Sequence, residues 1–200
     1  MKTVVACATT LLALATGCVW TPQAIKIRPD IEAISNSNGH GLPIQVSVAD
    51  ERSSSVLGTR GSRGVGAALT VEGDLATQVQ SSVADGLARQ SFAPAFARPP
   101  DGREIRVEIR SLGYGMTIGF MGNTLRTECS LKAICIRGAV RPYEQFYRGE
   151  YEENVRGVQT DSENDRFVNV ALSKAINALL QDRQLTGCLA ESEATSSAPP

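Results

Sequence analysis

Glu104-Ile105-Arg106-Val107-Glu108-Ile109-Arg110 alternates charged and apolar side chains without a break. Successive side chains of a strand point to opposite faces, so Ile105, Val107 and Ile109 share one face and the charges share the other. A period of two with all the charge on one side places one face in a core and the other in water. The strand sets the frame for its neighbours on both sides.

C-terminal to it, Gly113 to Gly122 is glycine-rich and reads as a turn region. From Asn123 to about Val140, Leu125, Cys129, Leu131 and Ala133 share a face, and Ile134 and Ile136 then switch to the other. That switch predicts a bulge or twist near Ala133. After the Arg141-Pro142 turn, Tyr143, Tyr147, Tyr151 and Val155 line one side of a further strand, opposite Glu144, Arg148, Glu150 and Glu152. Short connections join these three strands, which predicts an antiparallel meander. Ser162 to Asp165 offers capping residues. A helix is expected from about Asp165 to Leu185, with Val168, Leu172, Ala175, Ile176, Leu179 and Leu180 inward and Gly187 as its stop.

N-terminal to the opening strand, Ile44, Val46 and Val48 alternate, and Asp50-Glu51-Arg52 ends that run. Leu69 and Val71 suggest a short extended piece. Gly73-Asp74 then opens a helix whose Leu75, Val79, Val83 and Leu87 recur every four residues. Pro94, Pro99 and Pro100 close this unit. The order is β-α-β-β-β-α. The expected class is α+β: an antiparallel sheet of about four strands with two amphipathic helices packed on one face.

The first residues are an address. Met1-Lys2-Thr3, an apolar run from Val4 to Ala15 and small residues up to Cys18 make a secretory signal peptide. The run is shorter than the roughly 20 residues that span a membrane. Leu14-Ala15-Thr16-Gly17-Cys18 resembles a bacterial lipobox, in which cleavage falls between Gly17 and Cys18 and the Cys is lipidated. Val19 after it resembles the pattern of an outer-membrane destination, with the domain facing the periplasm. The expected organisation is a signal peptide over 1–17, a lipidated Cys and tether over 18–41, one periplasmic domain over 42–188, and a disordered tail over 189–200. Ile25, Ile27 and Ile31 alternate within the tether, so part of it can pack on the domain.

Composition excludes more than it proposes. The chain has 20 Lys+Arg against 21 Asp+Glu, a net charge of -1, one His and five Cys. A nucleic-acid binder would show a basic excess. His40 alone removes most His-dependent catalysis and any multi-His metal site. No motif implies a cofactor or metal.

Taken together, Val48-Ala49-Asp50-Glu51-Arg52, the helix opening at Asp74-Leu75, the strand over 123–136, Tyr147-Arg148-Gly149-Glu150-Tyr151, Asn169-Val170-Ala171 and Ile176-Asn177-Ala178-Leu179-Leu180 resemble the YajG-like family of bacterial lipoproteins. The resemblance covers nearly the whole chain. It implies a small envelope lipoprotein of poorly defined role and carries over no catalytic residue. The Gly-rich stretch from Gly58 to Gly66 is particular to this chain.

Three groups of residues are candidates for contact or bonding. Cys188 can reach Cys129 or Cys135 in an oxidising compartment. Cys129 and Cys135 lie roughly 20 Å apart along one strand, beyond the limit of about 7 Å between bridged Cα atoms. Arg52, Arg60 and Arg63, among glycines, suit an anionic headgroup or a peptide carboxylate, although the loop lacks the Gly-Lys-Ser/Thr ending of a phosphate loop. Tyr114, Met116 and Phe120 place large side chains at a strand connection, where an exposed patch would suit a partner or a membrane surface. The tyrosines at 143, 147 and 151 could stack on a glycan, but cross-strand packing is the ordinary use of such residues. Asp50 and Arg52 can pair and pin a strand end.

The leading expectation is a lipid-anchored, non-enzymatic envelope protein that binds another component in outer-membrane or periplasm maintenance. The alternative is an auxiliary lipoprotein subunit of an envelope transport or secretion complex, docking through 113–121 or the charged sheet face. A cell-wall hydrolase is argued against by the missing His, metal and nucleophile arrangements. Neither the partner's identity nor the oligomeric state is written in the sequence.

Overall fold

The alternating strand that opens at Glu104 is one arm of a hairpin whose two arms are 16 residues each. In the computed structural model, residues 21–32, 38–61, 66–95, 97–119, 122–157 and 159–191 are described. In chain order the elements are β1 (Gln23–Ile25), β2 (Pro43–Asp50), β3 (Gly58–Thr59), β4 (Ala68–Val71), α1 (Leu75–Arg89), β5 (Ala93–Ala95), β6 (Glu104–Gly119), β7 (Gly122–Arg137), β8 (Val140–Val155), α2 (Asp161–Gln181) and α3 (Arg183–Ala190).

Two sheets form, in the orders β5-β2-β6-β7-β8 and β1-β4-β3. The meander β6-β7-β8 is antiparallel, as its short connections require. The expectation of a wholly antiparallel sheet of about four strands is corrected. β2 runs parallel to both β5 and β6. The reason is the connection: α1 carries the chain back across the sheet, and a crossover of that kind delivers a parallel strand. β1, β3 and β5 are two or three residues long, too short to leave a period in the sequence.

Helices α1 and α2 cover one face, α1 over β2 and β5, α2 over β7 and β8. The core forms between them, with Val79, Val83, Ile105, Val107, Ile109, Leu131, Val168, Leu172 and Ile176 fully buried. Asp74 caps α1, accepting from Ala76 N at 3.0 Å and from the Thr77 hydroxyl at 2.7 Å.

Several boundaries differ from expectation. The glycine-rich region from Gly113 is not a turn: β6 continues to Gly119 and pairs with β7 from Gly122 onward. Glycines with an exposed outer face tolerate the extended backbone here, and the pairing supplies the hydrogen bonds. The bulge expected near Ala133 is elsewhere. β7 pairs in register on both sides through Ala133, and the irregularities lie between Ile109 and Ser111 and between Cys135 and Arg137. Ile134 and Ile136 are buried on the face away from the helices, across from Arg106 and Glu104, whose aliphatic stems can cover them. α2 starts four residues early, in a capping box of Thr160 and Glu163. Asp182 breaks the expected single helix in two, and Gly187 lies inside α3.

Within the segment expected as a tether, the described residues 21–32 and 38–41 dock on the domain, as the alternating isoleucines allow. Ile25, Ile27 and Ile31 are buried, and β1 pairs with β4. Beyond β1 the extended chain is bonded along α2: Lys26 N donates to Asp165 Oδ1 (3.1 Å), Asp30 N to Ser173 Oγ (2.8 Å) and Glu32 N to Asn177 Oδ1 (3.1 Å). Farther on, Gly39 N and Gly41 N donate to Gln90 O and Ser91 O at the end of α1. His40 between them is exposed, in a turn docked on the domain. The ordered unit therefore begins well before residue 42, and its last helix reaches Ala190.

Candidate binding face

The helices leave the other face of the large sheet open, and the period of two decides what stands there. From β6 come Glu104, Arg106 and Glu108; from β7 Arg126, Glu128, Ser130 and Lys132; from β8 Glu144, Phe146, Arg148, Glu150 and Glu152. Ion pairs cross-link the surface: Lys132 to Glu144 at 3.0 Å, Arg126 to Glu150 at 3.0 Å, Arg106 to Glu104 at 3.2 Å and Arg110 to Glu108 at 3.3 Å. Where both partners are exposed, as in Arg126–Glu150, such pairs contribute little stability, whereas Glu104 is buried beneath Arg106. The pairs leave a mixed-charge surface in which Arg148 and Glu128 have no ion-pair partner among the described residues. A shallow hollow of about 300 Å³ opens between Arg110, Glu128, Ser130, Arg148 and Glu150. Phe146 stands 53% exposed near its end, with the Lys132 ammonium 5.8 Å from its ring.

The residues expected to contact a ligand are placed differently. Arg60 is buried. Its guanidinium meets Asp161 at 2.7 Å and donates to Thr21 O and Gln159 O. It ties β3 to the start of α2 and is not available to a ligand, which corrects that expectation. Tyr114 is also buried, and its hydroxyl donates to Asn164 Oδ1 at 2.7 Å. Burial pushes the phenol well above its ordinary range. Met116 is half-buried against the same core. Arg52 forms a two-pronged pair with Asp50, Nε to Oδ1 and Nη2 to Oδ2, each at 2.8 Å. Those hydrogen bonds hold the Asp50 carboxyl below its usual value. The pair pins the end of β2, and only 7% of the Arg52 side chain is exposed. Arg63, Phe120, Gly17 and Cys18 lie outside the described residues.

Of the two bridges left open by the sequence, the structure has Cys135–Cys188, with the Cα atoms 6.5 Å apart. It ties α3 to β7. Cys129 is free and buried, and burial pushes its thiol up to about 12, which suits a packing role and not a reactive one. The tyrosines of β8 face the helices. Tyr143 and Tyr147 both donate to Asp182 Oδ2, at 2.7 and 2.6 Å, while Asp182 Oδ1 accepts from Gln184 N and Leu185 N as the cap of α3. Burial opposes ionisation of Asp182, but the four hydrogen bonds outweigh it and hold the carboxyl below its ordinary value. Tyr151 stacks on Phe167 at 5.7 Å and donates to Glu153. These rings are occupied with packing, so a glycan platform does not form from them.

The glutamates of β8 stand on the open face or pair with arginines, and Glu153 bonds Arg166 at 3.0 Å. Among the described residues no three His, Cys, Asp or Glu side chains gather as a metal site would need. Sequence reasoning missed the polar row of α2. Asp165, Asn169, Ser173, Asn177 and Gln181 recur every four residues, and that spacing was the available signal.

The sequence profile of a family of uncharacterised lipoproteins matches residues 29–190, most of the chain. The chain belongs to that family, Lipoprotein_16, the YajG family. No individually curated protein matches the lipoprotein by sequence. By structure it is similar to XCC0632 of Xanthomonas campestris, of the DUF330 family. That likeness has a TM-score of 0.58 and 10% identity, and covers 84% of this chain and 96% of that one. It is also similar to a homologue of neuraminyllactose-binding hemagglutinin from Helicobacter pylori, at a TM-score of 0.53 and 8% identity, over 82% and 97% of the two chains. Identities this low show a shared fold and nothing more. Among the described residues no helix is long and apolar enough to cross a membrane.

Proposed function

We propose that this lipoprotein is held on the outer membrane by lipid at Cys18 and faces the periplasm. Its domain binds another envelope component and does not turn over a substrate. Membership of a lipoprotein family carries this reading. The disposition of the polar residues supports the binding part. Arg60, Tyr114, Tyr143, Tyr147 and Asp182 are engaged in holding elements together, and Arg52 is paired with Asp50 at the end of β2, so the open charged face is left for recognition.

The docked N-terminal segment adds a consequence. β1 starts at Gln23, so five residue steps separate it from Cys18. At about 3.3–3.6 Å per step the reach is at most about 18 Å. The domain would then ride close to the bilayer surface, with its early strand as the fixed point. Three acyl chains, at about 0.8 kcal/mol per buried CH₂, would keep it there.

The test has two arms. Metabolic labelling with a fatty acid should mark the wild-type chain and not the Cys18→Ala variant; equal labelling of both would sink the anchor. Crosslinking in intact envelopes, followed by pull-down, should recover a discrete envelope partner whose yield drops for charge reversals on the open face. An activity that survives purification and is lost on substitution of Asp50 or of a pair among the β8 glutamates would overturn the non-enzymatic part.

A further inference from the structure

The last strand, β8, is the edge of the large sheet, and it is 16 residues long. An edge of that length presents unpaired backbone groups, a template for another strand. In a strand the N–H and C=O of one residue point to the same side, and those of the next residue to the other. The Lys174 ammonium donates to Glu150 O at 2.9 Å from α2, and Phe146 N donates to the exposed Gln145 side chain at 3.2 Å. Neither group therefore points to β7. The β7–β8 register is unbroken from Val155 to Tyr143, so Glu144, Phe146, Arg148 and Glu150 all present their backbone groups outward.

The usable part of this edge has two ends. Pro142 has no N–H to offer at the next outward position. Lys174 occupies Glu150 O at the other. Between them lie Glu144, Phe146 and Arg148, with the exposed Phe146 at the centre, a negative charge on one side and a positive one on the other; the exposed Gln145 side chain that accepts from Phe146 N is displaced when a second strand pairs there.

We propose that this edge pairs with the same edge of a second copy, antiparallel, with the two-fold axis at Phe146. The pairing is self-complementary. Phe146 sits opposite the partner's Phe146 as a hydrogen-bonded pair, with Cα atoms about 5.5 Å apart. Glu144 sits opposite the partner's Arg148, and Arg148 opposite the partner's Glu144. Arg148, which has no ion-pair partner within the described chain, gains one. Glu144 keeps Lys132 and gains a second cation. Two rings otherwise left in water shield each other, and cross-strand aromatic and opposite-charge pairs of this kind stabilise a sheet. A one-step slip in register would place the side chains of one strand against the wrong face of the other. A two-step slip would bring Glu144 or Arg148 opposite Phe146 and lose the charge match. The product is a ten-stranded sheet with the helices of both copies on one face and the charged face continuous on the other.

The test uses the mature lipoprotein in its own envelope. With Phe146→Cys, mild oxidation should link two copies through residues on the axis, because the Cα separation lies in the disulfide range. Glu152→Cys, on the same strand and face, should not link, since its two copies would stand about 40 Å apart. Absence of the Phe146→Cys dimer, or equal linking at both positions, would overturn the proposal.

A second measurement does not depend on new cysteines. Arg148→Glu alone, or Glu144→Arg alone, sets like charges opposite each other twice per dimer and should weaken the purified dimer about tenfold or more. Mixing the two variants places Glu opposite Arg at both positions and should restore a mixed dimer. Each variant's thermal melt, compared with wild type, separates misfolding from lost pairing. Failure of the mixture to recover, with both chains folded, would overturn the register. A wild-type chain that stays monomeric at membrane-like concentrations would overturn the pairing itself, and would leave the lipid anchor and the envelope partner untouched.

Discussion

Asn169 grips the chain at Arg28 from the side of α2. Its Oδ1 accepts from Arg28 N at 2.5 Å, and its Nδ2 donates to Lys26 O at 2.7 Å. The side-chain amide thus replaces a neighbouring strand for one step of the backbone. The same exchange recurs at Asn177, which accepts from Glu32 N and donates to Asp30 O at 3.0 Å. Four residues of helix rise about 6 Å, and two residues of extended chain advance about 6.6 Å. That near-match lets one polar row serve a whole segment. The Asn169→Ala variant should lose about 1–3 kcal/mol, because two backbone groups lose their partner. Urea midpoints would measure it, and cleavage by a protease between Lys26 and Asp30 should speed up. An unchanged midpoint would mean that water replaces the amide at no cost.

Asp182 predicts an acid limb in stability. Its folded carboxyl titrates below the ordinary Asp value of 3.8. A depressed pKa contributes stability that is fully present above the unfolded value and is lost as pH falls through the folded one. Asp182→Asn should therefore be less stable than wild type near neutrality. The gap should close as pH drops below about 4. Thermal melts of both chains across that range would show it; a gap independent of pH would remove the charge from the explanation.

The Cys135–Cys188 bridge closes a separation of 53 residues. Replacing both cysteines by Ala should cost about 2–4 kcal/mol, since the unfolded chain recovers the freedom of that loop. In the denatured mature chain, given the proposed thioether at Cys18, thiol titration should count one group, Cys129. Three groups would contradict the bridge.

Two glycines predict a contrast. A Cβ on Gly149 would lie 1.9 Å from Ala171 O and 2.6 Å from Ala175 N, both backbone atoms of α2. A Cβ on Gly86 would meet the Leu180 side chain, its Cδ1 at 2.2 Å. Side chains can turn away and a helix backbone cannot. Gly149→Ala should therefore cost about 3 kcal/mol or more, and Gly86→Ala less. Equal costs by chemical denaturation would show that α2 shifts freely over β8.

Much of the fold was legible because local pattern and final burial agree. Leu75, Val79, Val83 and Leu87 do line the inner face of α1, and the alternation from Glu104 to Arg110 does divide core from surface. The site was less legible. Arg60 and Tyr114 stood out as unusual residues in a glycine-rich context, and both proved to be buried ties. Composition draws the eye to a guanidinium or a phenol, but only the neighbours decide whether it is spent within the chain. Conversely, the row from Asp165 to Gln181 was not singled out in the sequence, although its spacing of four was there to be read.

From sequence alone came the periods, which residues share a face and where caps stand, and the resemblance of the first 18 residues to a lipoprotein signal. A period is a property of neighbours in the chain, and one strand or helix turn is enough to express it. Tertiary structure decided what depends on distant partners. It set β2 parallel to β6, chose Cys135 over Cys129 for Cys188, docked residues 23–32 along α2, and left β8 as an open edge. Each of those outcomes joins residues tens of positions apart, or depends on what lies beside them. Such outcomes are set by the packing of whole elements, which no local spacing records.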